Sequence, residues 1–459
     1  MAFLSFPFIT LGIVFLLAGA LWAFKSANPR FAALCAASAS FGSFLLSALE
    51  VAKAGHDRLF DPWLRIFEAD ALDAVPMAFF AALTLIVIIL APKRDSGGKA
   101  LAGILFLAAA TQTTYAAANL AVLATGWWFT SLPFVLRMFG EDRSQKLAQA
   151  FLIASSIALT VAIAVLHHIE IDEISHASRL AFGLMILAVA LRKGLFPLHG
   201  WMIHAFEHGP LLPLALLFNG HLGALLIARS ETAALTLSEK HVLGFLSIAA
   251  LVTALITSIR GFAEKKPRRM LGLLCLSQAS FILAGIATAS AEGITGALVH
   301  WLVVSAASTG LICIVRVLEV RVSGTADPTA PLGLATKAPR LATFFLVCGL
   351  ALIGLPGTLG YCAEDLIFHG ALENHPWIGI ALPIATAFNA INLLRLFNIL
   401  FLGVLPKHVI DIPDALPRER WPLAACAVFL VLGGIFPGRI IHWRADAAHT
   451  IEAALGIGH

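Results

Sequence analysis

The residues with the most chemistry to offer crowd into one stretch, Leu191-Arg192-Lys193-Gly194-Leu195-Phe196-Pro197-Leu198-His199-Gly200-Trp201. It runs on through His204, Glu207, His208, Gly209, Pro210 and Pro213 to Asn219 and His221. Arg192 is a fixed cation, while His199, His204, His208 and His221 change charge near neutral pH. Glu207 could bridge the two. Pro197, Pro210 and Pro213 each free a backbone carbonyl, so their spacing predicts interrupted helix. Titratable groups beside freed carbonyls suit an ion path. The bland alternative is a loop of solvated charges, and Lys193 is expected to snorkel to an interface.

Two further constellations lie downstream. Leu276-Ser277-Gln278 and, on the next apolar run, His300 bring neutral polar groups and one imidazole. They could hold a water chain, or could be interhelical hydrogen bonds that only fix packing. Gly354-Leu355-Pro356-Gly357-Thr358-Leu359-Gly360 precedes Glu364, Asp365 and His369. Glycines around Pro356 predict a second interrupted helix. The adjacent carboxylates could accept a cation or proton, or could simply open the next helix, where acids suit the dipole. Arg395 lies within an apolar run and needs a partner; Asp365 is the expected one.

The elements that must position these groups follow from composition. The 459 residues are 59% hydrophobic and 13% charged, with a formal net charge of +4. Mean hydropathy is +0.89. Soluble domains carry about 25% charged residues, so lipid is the solvent for most of this surface. A hydrocarbon core about 30 Å thick needs about 20 apolar helical residues. Such runs occur near 3–24, 31–52, 72–91, 100–122, 124–139, 147–167, 179–196, 209–229, 241–260, 270–290, 293–316, 341–361, 376–403 and 421–437. The expected fold is all-α, a polytopic bundle of about fourteen transmembrane helices with two interrupted helices, one in each half (1–240 and 241–459) of a single membrane domain. The first run has no basic segment before it and reads as a retained helix.

With the N-terminus outside, the basic groups Lys25/Arg30, Lys93/Arg94/Lys99, Arg137/Arg143/Lys146, Arg260 to Arg269, Arg316 to Arg340 and Lys407/Arg418/Arg420 fall inside. Glu170, Asp172 and Glu173 fall outside. That is the positive-inside pattern. The basic residues form no concentrated patch, which argues against nucleic-acid binding. Cys35, Cys275, Cys313, Cys348, Cys362 and Cys426 lie apart in apolar runs with no CxxC pair, so no metal or disulfide framework is expected. The longest polar connection, Ser323 to Arg340, is too short for a soluble catalytic domain. The chain is expected to be a transporter subunit rather than an enzyme, with no cofactor of its own.

Several stretches resemble the antiporter-like membrane subunits of respiratory complex I and Mrp cation antiporters. They are Pro197-Leu198-His199-Gly200-Trp201, Lys266-Pro267-Arg268-Arg269-Met270-Leu271 with Ser277-Gln278, Ala297-Leu298-Val299-His300, Gly354-Leu355-Pro356 with Glu364-Asp365, Leu394-Arg395-Leu396, and Asp70-Ala71-Leu72. Gly126-Trp127-Trp128-Phe129-Thr130-Ser131-Leu132 resembles one branch, DabB, the membrane subunit of inorganic-carbon accumulation complexes. Complex I subunits carry a buried glutamate on that helix, where this chain offers Trp128. Arg192 stands where they usually have a buried lysine, and an arginine there also suits DabB. The family's second histidine and lysine after His300 are replaced by Val304 and Ser308. Pro210-Leu211-Leu212-Pro213 departs from the family's Pro-Thr-Pro-Val run.

The resemblance implies a multi-pass protein of the bacterial inner membrane. It would conduct H+ or Na+ to energise CO2/bicarbonate uptake with a large peripheral DabA-like partner that holds zinc and resembles a carbonic anhydrase. The alternatives are an ion-translocating subunit among other complex I-like, hydrogenase-linked or Mrp subunits, or a non-conducting membrane anchor.

Overall fold

The computed structural model describes residues 2–55, 58–140, 145–167, 174–231, 237–322, 331–405 and 412–455. Arg143, Glu170, Asp172, Glu173, Lys407 and much of the Ser323–Arg340 connection lie outside the described residues.

Long apolar runs become helices because only intrahelical bonds satisfy every backbone group in lipid. The first are α1 (Phe8–Lys25), α2 (Pro29–Ala54), α3 (Ala74–Leu90), α4 (Gly98–Tyr115), α5 (Leu120–Val135) and α6 (Gln145–His167). Then come α7 (Ile174–Lys193), α8 (Gly200–His208), α9 (Leu211–Asn219), α10 (Leu222–Glu231), α11 (Leu237–Ala263) and α12 (Pro267–Ile286). The last are α13 (Ala291–Val322), α14 (Pro339–Leu352), α15 (Leu359–Asn374), α16 (Pro376–Phe401), α17 (Pro417–Ile435) and α18 (Gly438–Leu455). Local sequence sets several starts. Asn28 and Asn119 accept from the Phe31 and Val122 amides, and proline occupies the first turn of α2, α12, α14, α16 and α17.

Among the described residues eight helices or helix pairs are long and apolar enough to cross a membrane, nine if α17 and α18, bent by 84°, count as one. Each apolar run named above holds a helix. The apolar runs did not include α8, which follows the break at Pro197, α15, which follows the break at Pro356, or α18. Helices α12 and α13 form the centre, and α13 touches α3, α9, α12, α14, α15, α17 and α18. Small residues allow this: a Cβ on Gly296 would meet the Ile367 amide at 2.7 Å.

Two breaks fall where proline and glycine predict them. Helix ends at Lys193 and resumes at Gly200 across a cis Phe196–Pro197 peptide; it ends at Leu352 and resumes at Leu359 around Pro356. Pro210 caps α9. Pro213 corrects the expectation: it sits in the first turn of α9, where a missing N–H costs nothing, and interrupts no helix. A break the prolines did not announce separates α9 from α10 at Gly220-His221, where His221 takes φ +41°.

The bundle also carries a small sheet that the all-α expectation omitted. Strands β1 (Ala2–Phe3) and β2 (Leu59–Phe60) pair in parallel, and β2 pairs antiparallel with β3 (Glu68–Ala69). Beside it Arg229, at the end of α10, bonds Glu68 at 3.0 Å and also Asp73.

Candidate functional site

The breaks turn polar side chains inward. Lys193, the last residue of α7, is buried, which overturns the snorkelling expectation: its helix ends within the bundle, away from any interface. Its ammonium donates to the Phe218 carbonyl at 3.2 Å and lies 2.8 Å from Nδ1 of His221. The His221 ring packs edge-on against Trp301 at 5.7 Å, and the preceding residue on α13 is His300.

A second polar group begins there. His300 Nε2 lies 3.1 Å from the Gln278 carbonyl and 3.2 Å from the Gln278 amide nitrogen. The two hydrogens on that nitrogen go to the Leu352 carbonyl and to Glu364 Oε1, both at 3.1 Å, while His300 Nε2 donates to the Gln278 carbonyl. The amide is oriented by this network. Glu364 Oε2 accepts from Thr386 at 3.0 Å. Gln278, His300 and Glu364 are all buried, and the fold brings them together. His221 Nε2 and His300 Nδ1 are buried with no protein partner among the described residues.

Arg192 points another way. Its guanidinium lies 4.7 Å from the ring of Trp127 and donates to Thr130. The inward indole is therefore Trp127, which donates to Ser155 at 3.2 Å, and not Trp128, which is half-exposed and bonds Thr160 at 2.9 Å. Helical geometry decides this, since adjacent residues point to different faces.

The remaining candidates separate from this line. His199 Nε2 lies 2.9 Å from Arg260, and the pair lines a cavity of about 280 Å³ with Gly200, Ile203, Glu264 and Arg269. Glu207 does not bridge Arg192 to the histidines; it accepts from Lys266 at 2.6 Å and Arg269 at 2.8 Å. Burial pushes its carboxyl up, but those hydrogen bonds outweigh it and hold the pKa at about 2. The ligand atoms of His204, Glu207 and His208 lie within 4.8 Å of one another, yet both Glu207 oxygens already serve cations. Arg395 does not pair with Asp365. It donates to the carbonyls of Gly261 at 3.0 Å, Glu264 at 2.9 Å and Phe262, binding the end of α11. Asp365 faces outward and lies 3.5 Å from His369.

Uncharged residues complete the site: Asn219 and Ser277 stood out in the sequence, while Thr309 and Asn389 did not. Asn219 donates to Thr309 at 2.9 Å and accepts from Ser308 at 2.8 Å, tying the end of α9 to α13. Asn389 donates to Ser277 at 2.8 Å. A lone Asn or Thr inside an apolar run was the available signal.

Residues 117–389, the segment that holds the whole Lys193-to-Thr386 line, match the family described as NADH:quinone oxidoreductase/Mrp antiporter, TM. The chain belongs to this family. Among curated members it is 26% identical over 417 residues to NADH-quinone oxidoreductase subunit 13 of Thermus thermophilus, covering 86% of this chain and 88% of that one. It is 28% identical over 282 residues to NADH-quinone oxidoreductase subunit N of Desulforudis audaxviator, covering 57% and 56%. In fold it is similar to a chain of respiratory complex I from Thermus thermophilus with bound NADH, at TM-score 0.85, 23% identity and 97% and 99% coverage. The Mrp complex from Dietzia sp. DQ12-45-1b holds a similar chain, at TM-score 0.83, 17% identity and 98% and 99% coverage. As a member of the NADH:quinone oxidoreductase/Mrp antiporter family, the chain is a multi-pass integral membrane protein.

Proposed function

We propose that this chain is an ion-translocating, antiporter-like subunit of a larger assembly in the bacterial inner membrane, and that the ion is the proton. One observation carries the reading: buried exchangeable groups run from Lys193 and His221 to His300, Gln278, Glu364 and Thr386, between two broken helices. Burying such groups in a membrane protein is costly and marks ion pathways. The groups are mostly nitrogen donors and acceptors with a single carboxylate. Hard metal cations ask for a cage of oxygens, whereas a proton moves between imidazole, amine and carboxylate. The relatives named after complex I and the Mrp complex support work beside other subunits, with any catalysis in a partner.

The test is proton movement in sealed vesicles holding the assembled complex, followed with a pH-gradient dye. Lys193→Ala and His300→Ala are expected to slow it at least about tenfold with the complex intact. Unchanged rates would overturn the reading.

A narrower reading, DabB-like, is favoured by Arg192 stacking on Trp127, on the helix where the resemblance to complex I subunits implies a buried acid. The proton flow would then energise bicarbonate uptake with a peripheral zinc-holding partner. Membranes with both proteins would accumulate bicarbonate, and an uncoupler would abolish it. Uptake that survives a collapsed gradient removes this version alone.

A further inference from the structure

We infer that the outward face of α15 docks a transmembrane helix of a partner subunit, one that presents a basic or amide side chain to Asp365 at mid-membrane depth.

Depth comes from the neighbours of Glu364. Its carboxyl meets Gln278, midway along the spanning helix α12, and Thr386, near the middle of α16. Asp365 is the next residue, and helical geometry turns it about 100° around α15, away from the buried face. There its side chain is 48% exposed and that of His369, one turn on, is 56% exposed. Tyr361 and Leu372 continue the same stripe. The buried face of α15 packs on α13 through Ile367 and Gly370.

Acyl chains are an unsuitable cover for this stripe. An aspartate and a histidine facing lipid near the bilayer centre are strongly disfavoured. The unwound turn that leads into α15, Leu355-Pro356-Gly357, is exposed as well, and irregular backbone within a membrane is tolerated only against protein or in a water-filled cavity. Two independent features, charge and broken backbone, therefore demand the same cover.

The shape and charge of the stripe select its occupant. Tyr361, Asp365, His369 and Leu372 recur at spacings of four, four and three, the seam along which one helix packs against another. Within the chain, His369 Nδ1 lies 2.9 Å from the Asp365 carbonyl but 3.5 Å from its carboxylate, so the carboxylate has room for a donor. A lysine, arginine, asparagine or glutamine on the incoming helix supplies it.

The test uses the assembled complex in its own membrane, with a photo-crosslinking amino acid at Tyr361 or Leu372 and wild-type Asp365. The expected product joins α15 to an apolar helix of a different subunit that carries one of those donors, identified by peptide mapping. Asp365→Leu is expected to lower recovery of that subunit at least about tenfold and Asp365→Asn less, and exchanging Asp365 with the partner's donor residue across the seam is expected to restore it. Crosslinks to lipid, to a second copy of this chain or to a water-soluble subunit would overturn the inference. So would unchanged recovery with Asp365→Leu.

Discussion

The ammonium of Lys193 stands 2.8 Å from Nδ1 of His221, and both residues are buried. Two basic nitrogens that close compete for one proton, so a second charge arriving at either disfavours the first. Lys193→Arg is therefore expected to fail as a replacement, because arginine keeps its proton. Proton flux in vesicles should fall about as far as with Lys193→Ala, at least about tenfold. Near wild-type flux with arginine would show that release from this position is not required.

Gly354 sits at φ +68°, and a Cβ there would lie 2.8 Å from Glu364 Oε2. Gly354→Ala should cost about 1–3 kcal/mol for the backbone conformation and displace the carboxyl from Thr386. Glu364→Gln should leave packing intact and still slow proton flux. Comparing thermal midpoints with flux separates the two effects: the glycine variant should lose both, the glutamine variant only flux.

Arg192 and Trp127 face each other at 4.7 Å in the interior. A desolvated cation–π contact contributes about 2 kcal/mol. A double-mutant cycle with Trp127→Phe and Arg192→Met should return a coupling of about 0.5–2 kcal/mol in the unfolding of the purified complex. Additive losses would mean that the indole only fills space.

Glu207 clasps α8 to the start of α12 through Lys266 and Arg269. Its folded pKa of about 2 lies below the ordinary 4.5. The stabilisation is thus complete above pH 4.5 and fades as the carboxyl protonates toward pH 2. Thermal midpoints of the wild type should fall across that window. Glu207→Gln should start lower and vary less with pH; identical profiles would count against the clasp.

Arg229 holds Glu68 and Asp73 together beside the small sheet. Removing it leaves buried Asp73 without its cation and Glu68 with Arg58 at 3.6 Å, and breaking a buried pair costs about 3–5 kcal/mol. Arg229→Ala should show this as a clear loss of stability, while Arg229→Lys, which cannot fork between two acids, should recover only part.

Hydropathy and punctuation alone determined that this is a membrane bundle, where most of its helices lie, and that it breaks near Pro197 and Pro356. Apolar runs of spanning length leave lipid as the only suitable solvent, and proline removes a helix bond wherever it falls inside a helix. The same rule misjudged Pro213, because position within the helix, and not residue type, decides whether that bond exists. Which polar groups meet was decided by tertiary structure. Lys193 rather than Arg192 reaches His221, Trp127 rather than Trp128 faces Arg192, and Arg395 binds carbonyls instead of Asp365. Neighbouring residues on a helix differ in direction by about 100°, so a cluster of charges in sequence does not say which one faces the interior until the helices are packed around it.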